Sequence, residues 1–252
     1  MKLRLFLSLA GAWLCAATHA GEVTVAVAAN FTAPMQKIAQ AFEQDTGHKA
    51  QLAFGATGKF YAQIKNGAPF DLFLSADLDY PQALIKAGHA DAKTLTTFAI
   101  GRLVLWTTKP DLAATDLAAT VKNPSVQKLA VANPATAPYG RAALQVLDHL
   151  GLTAAARPKL VTGENITQTA QFVETGHADA GFVALSLVLS PKLKDKGRWT
   201  EVPTTLYTPL DQGVVLTVRG AANPAATRYL AFLSSPAARK ILQDFGYALP
   251  AS

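Results

Sequence analysis

From Val23 onward the chain alternates short β-branched apolar runs with stretches of helical spacing, and this rhythm narrows the possible folds more than any other feature. Val23–Ala29 reads as a buried strand, and Met35, Ile38, Ala39 and Phe42 then keep one face of a helix that stops at Gly47. Ala50–Phe54 is a second strand, and Phe60, Tyr61 and Ile64 mark the next helix. Asp71–Ala76 is a third strand, followed by a helix opening at Asp79-Tyr80-Pro81 and ending near Gly88. Strand, helix, strand, helix, strand is the signature of parallel βαβ units and hence of an α/β fold.

A second set follows the first. Arg102–Thr108, Leu129–Ala132, Leu160-Val161 and Ala180–Leu185 are strand-like, and Leu144 and Leu147 form a helical face closed by Gly151. Asn165 with Gln168 has the spacing of a capping box. The C-terminal part adds a strand at Gly213–Val218 and two helices, each opened by a cap residue and proline, Asn223-Pro224 and Ser235-Pro236. An internal echo links the halves: Gln63, Gly67 and Asp71 recur as Gln171, Gly176 and Asp179, with eight residues from Gln to Asp in both. Asp71 and Asp179, placed just ahead of buried strands, are expected to accept turn N–H groups rather than to act as an acid–base pair.

The N-terminus reads as a secretory signal spanning 1–20. Lys2 and Arg4 precede the apolar run Leu5–Ala17, and Ala20 is a small residue before a cleavage point at Gly21. Cys15 follows the bulky Leu14, which argues against a lipid-anchored start. Cleavage lowers Lys plus Arg from 23 to 21 against 17 Asp plus Glu, a net charge of +4, and removes the only cysteine. A mature chain without thiols has no disulfide and no Cys-ligated metal. Its basic residues are not clustered, so nucleic acid is not an expected partner. Apolar residues make up 50 % of the chain, ample for a core, and no later run is long enough to span a bilayer.

Four strand-to-helix turns carry small or polar residues: Ala29–Thr32, Gly55–Lys59, Ala137–Gly140 and Gly163–Ile166. Ligands of open α/β sheets gather at such turns, where helix N-termini present free N–H groups to an anion. Each turn alone is explained by helix capping; four of them, divided between two halves, point to a ligand. Enzyme signatures are missing: there is no Gly-x-Ser-x-Gly, P-loop, His-Glu-x-x-His or Gly-x-Gly-x-x-Gly. The mature histidines have no metal-ligand spacing. Tyr80, Trp106 and Trp199 are expected to serve packing.

These turns carry a resemblance. Ala28–Thr32 with Met35, Gln36 and Ile38, Phe54–Lys59 with Ala62 and Gln63, Gly67–Asp77, Leu129–Pro134, Pro138–Gly140 and Ala237–Gly246 together resemble the periplasmic molybdate-binding proteins of type II periplasmic-binding-protein fold. The resemblance implies an α/β chain of two lobes joined by two crossover strands. Lobe I would be 21–104 completed by 211–252, and lobe II 105–210, with hinges in Arg102–Thr108 and Asp211–Val218. It implies a periplasmic monomer that is no enzyme, needs no cofactor or free metal, and delivers molybdate or tungstate to the membrane permease of an ABC transporter. The anion would be held by Asn30 and Thr57, with Ala29 and Gly58 beside them, and by Tyr139 and Ile166 from lobe II. Some relatives add a tyrosine where this chain has Ala184, so Tyr139 is expected to compensate. The alternatives are a binder of sulfate, phosphate or phosphonate on the same fold, and an exported hydrolase.

Overall fold

The computed structural model describes residues 20–112 and 116–250, so the signal segment lies almost entirely outside the described residues. Two five-stranded mixed sheets with helices on their faces make an α/β fold. The first sheet contains β1 (Glu22–Ala28), β2 (Lys49–Gly55), β3 (Leu72–Leu74), β4 (Thr96–Gly101) and, from the far end of the chain, β10 (Leu210–Leu216). The second contains β5 (Leu103–Thr107), β6 (Leu129–Ala132), β7 (Leu160–Gly163), β8 (Ala180–Ala184) and β9 (Arg198–Glu201).

The strand orders, β2-β1-β3-β10-β4 and β7-β6-β8-β5-β9, superimpose position for position. In each sheet three parallel strands are followed by one antiparallel strand and then by an edge strand antiparallel to that one, a departure from the all-parallel pattern that βαβ units alone suggest. The fourth strand in each order comes from the other end of that half's sequence. It is therefore not joined by a right-handed helical crossover and is free to run antiparallel.

Helices α1 (Thr32–Thr46), α2 (Thr57–Lys65) and α3 (Asp79–Lys86) follow β1, β2 and β3. In the second half α4 (Leu117–Lys122) precedes β6, and α5 (Pro138–His149) and the short α6 (Thr153–Ala156) follow it. After those come α7 (Ile166–Glu174) behind β7 and the one-turn α8 (Leu185–Val188) behind β8. The chain ends with α9 (Pro224–Phe232) and α10 (Pro236–Asp244), whose caps Asn223 and Ser235 accept from Ala225 and Ala238 N–H.

Strands β4 and β9, which the sequence reading does not include, are both edge strands. β9 is Arg-Trp-Thr-Glu and mostly exposed, so it carries no apolar run to betray it. Trp199 on it is 40 % exposed, which departs from the expected packing role, whereas its register partner Trp106 is fully buried and donates Nε1–H to Lys196 O at 2.9 Å. The chain passes from the first sheet to the second at Arg102, between β4 and β5, and returns through 202–209.

The internal echo has a structural basis. Gly67 (φ 87°) and Gly176 (φ 73°) are both left-handed and end the helix before the equivalent strands β3 and β8. Asp71 accepts from Thr24 N–H (2.9 Å) at the start of β1, from Asn223 Nδ2 and from Arg219 Nε. Asp179 accepts from Gln127 N–H (2.7 Å) and Lys128 N–H (2.8 Å) just ahead of β6, and is paired with Lys109. In both halves an aspartate ties the entrance of the second strand in the sheet order, and in both it also carries a cation that the sequence reading did not assign to it.

Candidate functional site

The carboxyl ends of β1 and β2 in the first sheet face those of β6 and β7 in the second. The four turns that leave these strands surround one small cavity lined by Ala28 to Asn30, Gly55 to Thr57, Ala76, Ala137 to Tyr139, Asn165 and Ile166. The cavity between these atoms is very small, about 10 Å³, far below the roughly 300–1,000 Å³ of sites for drug-sized organic ligands. A small inorganic solute suits it. Of the residues anticipated from sequence, Ala29, Asn30, Thr57, Tyr139 and Ile166 all line the cavity; Gly58 does not.

Each turn satisfies most of its helix N-terminus internally and leaves an amide over. In α7, Asn165 Oδ1 accepts from Thr167 and Gln168 N–H at 3.0 Å each, and Thr169 N–H returns to Asn165 O. Ile166 N–H is left without an acceptor among the described residues. In α5, Gly140 and Arg141 N–H both go to Ala137 O, Pro138 has no N–H, and Tyr139 N–H is left. In α2, Gly58 N–H donates to Thr136 O, Lys59 and Phe60 N–H go to Ala56 O, and Thr57 N–H is left. Asn30, in the 3₁₀ turn Ala29–Phe31, likewise has no backbone acceptor. One unused donor per turn, at the positive end of a helix or 3₁₀ turn, adds up to an anion-binding field without a formal cation.

The side chains depart from expectation at several points. Asn30 was expected to offer its amide to a ligand, yet Nδ2 donates to Gln212 Oε1 (2.9 Å) and to Tyr247 OH (2.8 Å). Gln212 Nε2 is itself fixed by Leu210 O and Ala76 O, so its Oε1 has to accept and Asn30 has to present nitrogen to it. Asn30 Oδ1 is the atom left unpartnered. Gln212 and Tyr247 are 182 and 217 residues away in sequence, and no local signal reveals them. Thr57 Oγ1 accepts from Ala76 N–H at 3.3 Å, which leaves its hydroxyl proton to donate.

Tyr139 is completely desolvated, and burial pushes its phenol well above the usual value, so it stays neutral. Its oxygen has no hydrogen-bond partner, and it sits where a Cβ on Gly101 would collide with it, beside the passage between the sheets. Ala184, where some relatives have tyrosine, is fully buried at the end of β8.

Gly58 and Gly140 do permit close approach, but of protein to protein. A Cβ on Gly58 would strike the Tyr80 hydroxyl and Thr136, and one on Gly140 would strike Ala132 O. Gln168 also deviates from the expected capping box, accepting from Glu164 N–H at 2.6 Å rather than from the cap residue's own N–H.

The halves touch around the cavity. Gly58 N–H bonds Thr136 O (2.8 Å), Tyr80 OH bonds Ala135 O (3.0 Å), Thr167 Oγ1 bonds Ala29 O (3.0 Å) and Ser186 Oγ bonds Asn30 O (2.8 Å). Arg141 pairs with Asp77, and Lys59 with Glu164 at 2.9 Å. No group of His, Cys, Asp and Glu with metal-holding geometry occurs among the described residues. His48 Nδ1 instead accepts from Gly21 N–H (2.8 Å), and His149 Nδ1 lies 3.0 Å from Gln145 O.

Comparison with known proteins agrees with this architecture. The sequence profile of the family described as bacterial extracellular solute-binding protein matches residues 23–248. A molybdate-binding protein of Azotobacter vinelandii is 48 % identical over 98 % of this chain and 97 % of its own. One from Rhodobacter capsulatus is 44 % identical over 90 % of this chain and 88 % of its own. The solved periplasmic molybdate-binding protein of A. vinelandii superimposes with a TM-score of 0.86, at 35 % identity, covering 91 % of this chain and all of that one.

Proposed function

The chain belongs to the bacterial extracellular solute-binding proteins, and on that premise we propose that it captures molybdate for an ABC importer. It is a transport protein rather than an enzyme, and the oxyanion is its ligand, not a cofactor. The observation that carries the site assignment is the set of unused N–H groups at Asn30, Thr57, Tyr139 and Ile166, all on residues lining one small cavity. We assign the anion contacts to those four amides and to the Thr57 hydroxyl, with Ala29 forming the wall. Asn30 contributes through its backbone, and its carboxamide positions the turn. Gly58 contributes by letting the halves meet.

Neutral donors held in place by helix N-termini bind a dianion without the desolvation of a paired ammonium or guanidinium. A protonated phosphate has an O–H that needs an acceptor, and each amide facing it offers only a proton; an unpaired buried O–H costs about 1–3 kcal/mol. Tungstate, of the same charge and shape as molybdate, is proposed as a second ligand. The two lobes are assigned to the two sheets, with the crossings at Arg102 and 202–209 as hinges. The protein works as a periplasmic monomer, cut before Gly21, that docks on a membrane permease.

Titration calorimetry of residues 21–252 with molybdate, tungstate, sulfate and phosphate tests this. Saturable binding of molybdate and tungstate at one site, with phosphate at least a hundredfold weaker, is the expected result. Sulfate binding as tightly as molybdate, or no heat with molybdate, overturns it.

A further inference from the structure

Beside the cavity stands a charged pair that touches none of the assigned donors. Asp77 follows Ala76, a cavity-lining residue, and its side chain is only 11 % exposed. Its Oδ1 accepts from Ser75 Oγ (2.9 Å) and Tyr80 N–H (3.2 Å), both in its own half. Its Oδ2 takes Arg141 Nη2 from α5 in the opposite half. The guanidinium also lies over the Tyr80 ring, 5.5 Å from its centroid, and 3.8 Å from Asp79.

A nearly buried carboxylate one residue from the wall of an anion site is a liability. Unpaired, it would repel the very ligand the cavity is built to hold, and low polarity strengthens that repulsion. Burial raises the Asp77 pKa above the usual carboxylate value, opposed by Ser75, the Tyr80 N–H and Arg141, so the group is sensitive to which partner it has.

We infer that Arg141 is a positioning residue for anion binding: it arrives from the second half when the cleft closes and cancels the Asp77 charge without touching the anion. The inference rests on the oxyanion reading above. It couples ligand retention to closure, because only the closed arrangement removes the repulsion, and both events then favour the same state. It also explains why the cavity keeps neutral donors although an arginine is near, since Asp77 holds the guanidinium to itself. Removing Arg141 alone is expected to harm binding far more than removing both residues, because it strands the nearly buried Asp77 carboxylate beside the anion, whereas removing Asp77 leaves only a cation that is 36 % exposed.

The test is molybdate calorimetry, with melting temperatures in the absence of ligand, on four variants of the mature protein. Arg141→Gln should weaken binding at least tenfold while leaving the ligand-free melting temperature within a few degrees. Arg141→Lys should recover most of that loss. Asp77→Asn keeps the Oδ1 acceptor for Ser75 and Tyr80 and should bind within threefold of wild type or tighter, as should Asp77→Asn combined with Arg141→Gln.

A double variant as weak as Arg141→Gln alone would mean that Arg141 attracts the anion directly, and it would overturn the inference. So would unchanged affinity in Arg141→Gln, a tenfold loss in Asp77→Asn, or a fall in the ligand-free melting temperature large enough to account for the loss. Failure of the wild-type protein to bind molybdate would instead sink the functional reading on which the inference stands.

Discussion

At the scale of single residues, Thr57 and Asn30 illustrate how one polar side chain in a site can have two different tasks. Thr57 Oγ1 receives Ala76 N–H and keeps its own proton unspent, so in the proposed site it joins the floor of the cavity to the anion. Thr57→Ser preserves both bonds and is expected to bind molybdate within a fewfold of wild type. Thr57→Val removes the donor and strands a buried amide. A lost hydrogen bond to a charged group, about 1.5–3 kcal/mol, corresponds to at least a tenfold loss of affinity, and the stranded N–H adds about 1–3 kcal/mol of lost stability. Calorimetry and denaturant melts on the two variants separate these effects, and equal affinity in both would take the hydroxyl out of the site. Asn30 differs because both hydrogens of its amide are spent on Gln212 and Tyr247. Truncating it leaves Gln212 Oε1 without its donor, so its loss is a loss of turn geometry more than of a contact.

At the scale of elements, the strands enter each sheet under electrostatic restraint. Burial of Asp179 works against its charge, but the bond to Lys109 and the Lys128 and Gln127 N–H groups more than offset this and hold its carboxyl below the usual value. A carboxyl whose folded pKa is depressed favours folding at pH values above its unfolded pKa, about 3.9, and loses that contribution as pH falls through the folded value. Asp179→Asn is therefore expected to be less stable than wild type at pH 7, with the difference shrinking as pH falls below about 3.9 and on through the folded pKa. Denaturant melts across that range give the answer, and a gap independent of pH would assign the residue a purely neutral hydrogen-bonding role. Because Asp179 ties the entrance of β6, whose other end leads to the α5 turn, this restraint and the Tyr139 amide lie at opposite ends of one strand.

At the scale of the whole molecule, the matching strand orders make the cleft nearly symmetric. The turns after β1 and β2 face their counterparts after β6 and β7, so each half presents two helix or 3₁₀ N-termini. Each half carries only two of the four turns, so the proposed site needs both, and in that reading the halves close about Arg102 and 202–209. Saturating molybdate is accordingly expected to reduce the radius of gyration in small-angle scattering. It should also stabilise the fold by about 2.7 kcal/mol at a hundredfold excess over Kd. An identical scattering profile, with binding confirmed by calorimetry, would mean that the cleft is closed before the ligand arrives.

Much of this was legible in the chain itself, because it rests on local pattern. The apolar runs of β1, β6 and β8, the glycine stops at 47, 67, 151 and 176, and the caps at Asn165, Asn223 and Ser235 each depend on neighbours within a few residues, and sequence records those. The same local chemistry marked the four turns from which Asn30, Thr57, Tyr139 and Ile166 reach the cavity. What sequence does not encode locally is which distant atom claims a polar group. Gln212 and Tyr247 capture the Asn30 amide across about 200 residues, Thr136 takes the Gly58 N–H, and Arg141 meets Asp77 only because two similar sheets are set face to face. The edge strand β9 was invisible for the same reason: pairing to a neighbouring strand, not an apolar run of its own, makes it a strand, whereas β4 does carry the short apolar run Phe98–Ile100. Residue type and spacing determined the elements and the turns, and tertiary contact decided which donors remain for the ligand, since a hydrogen already spent inside the protein is no longer available to bind.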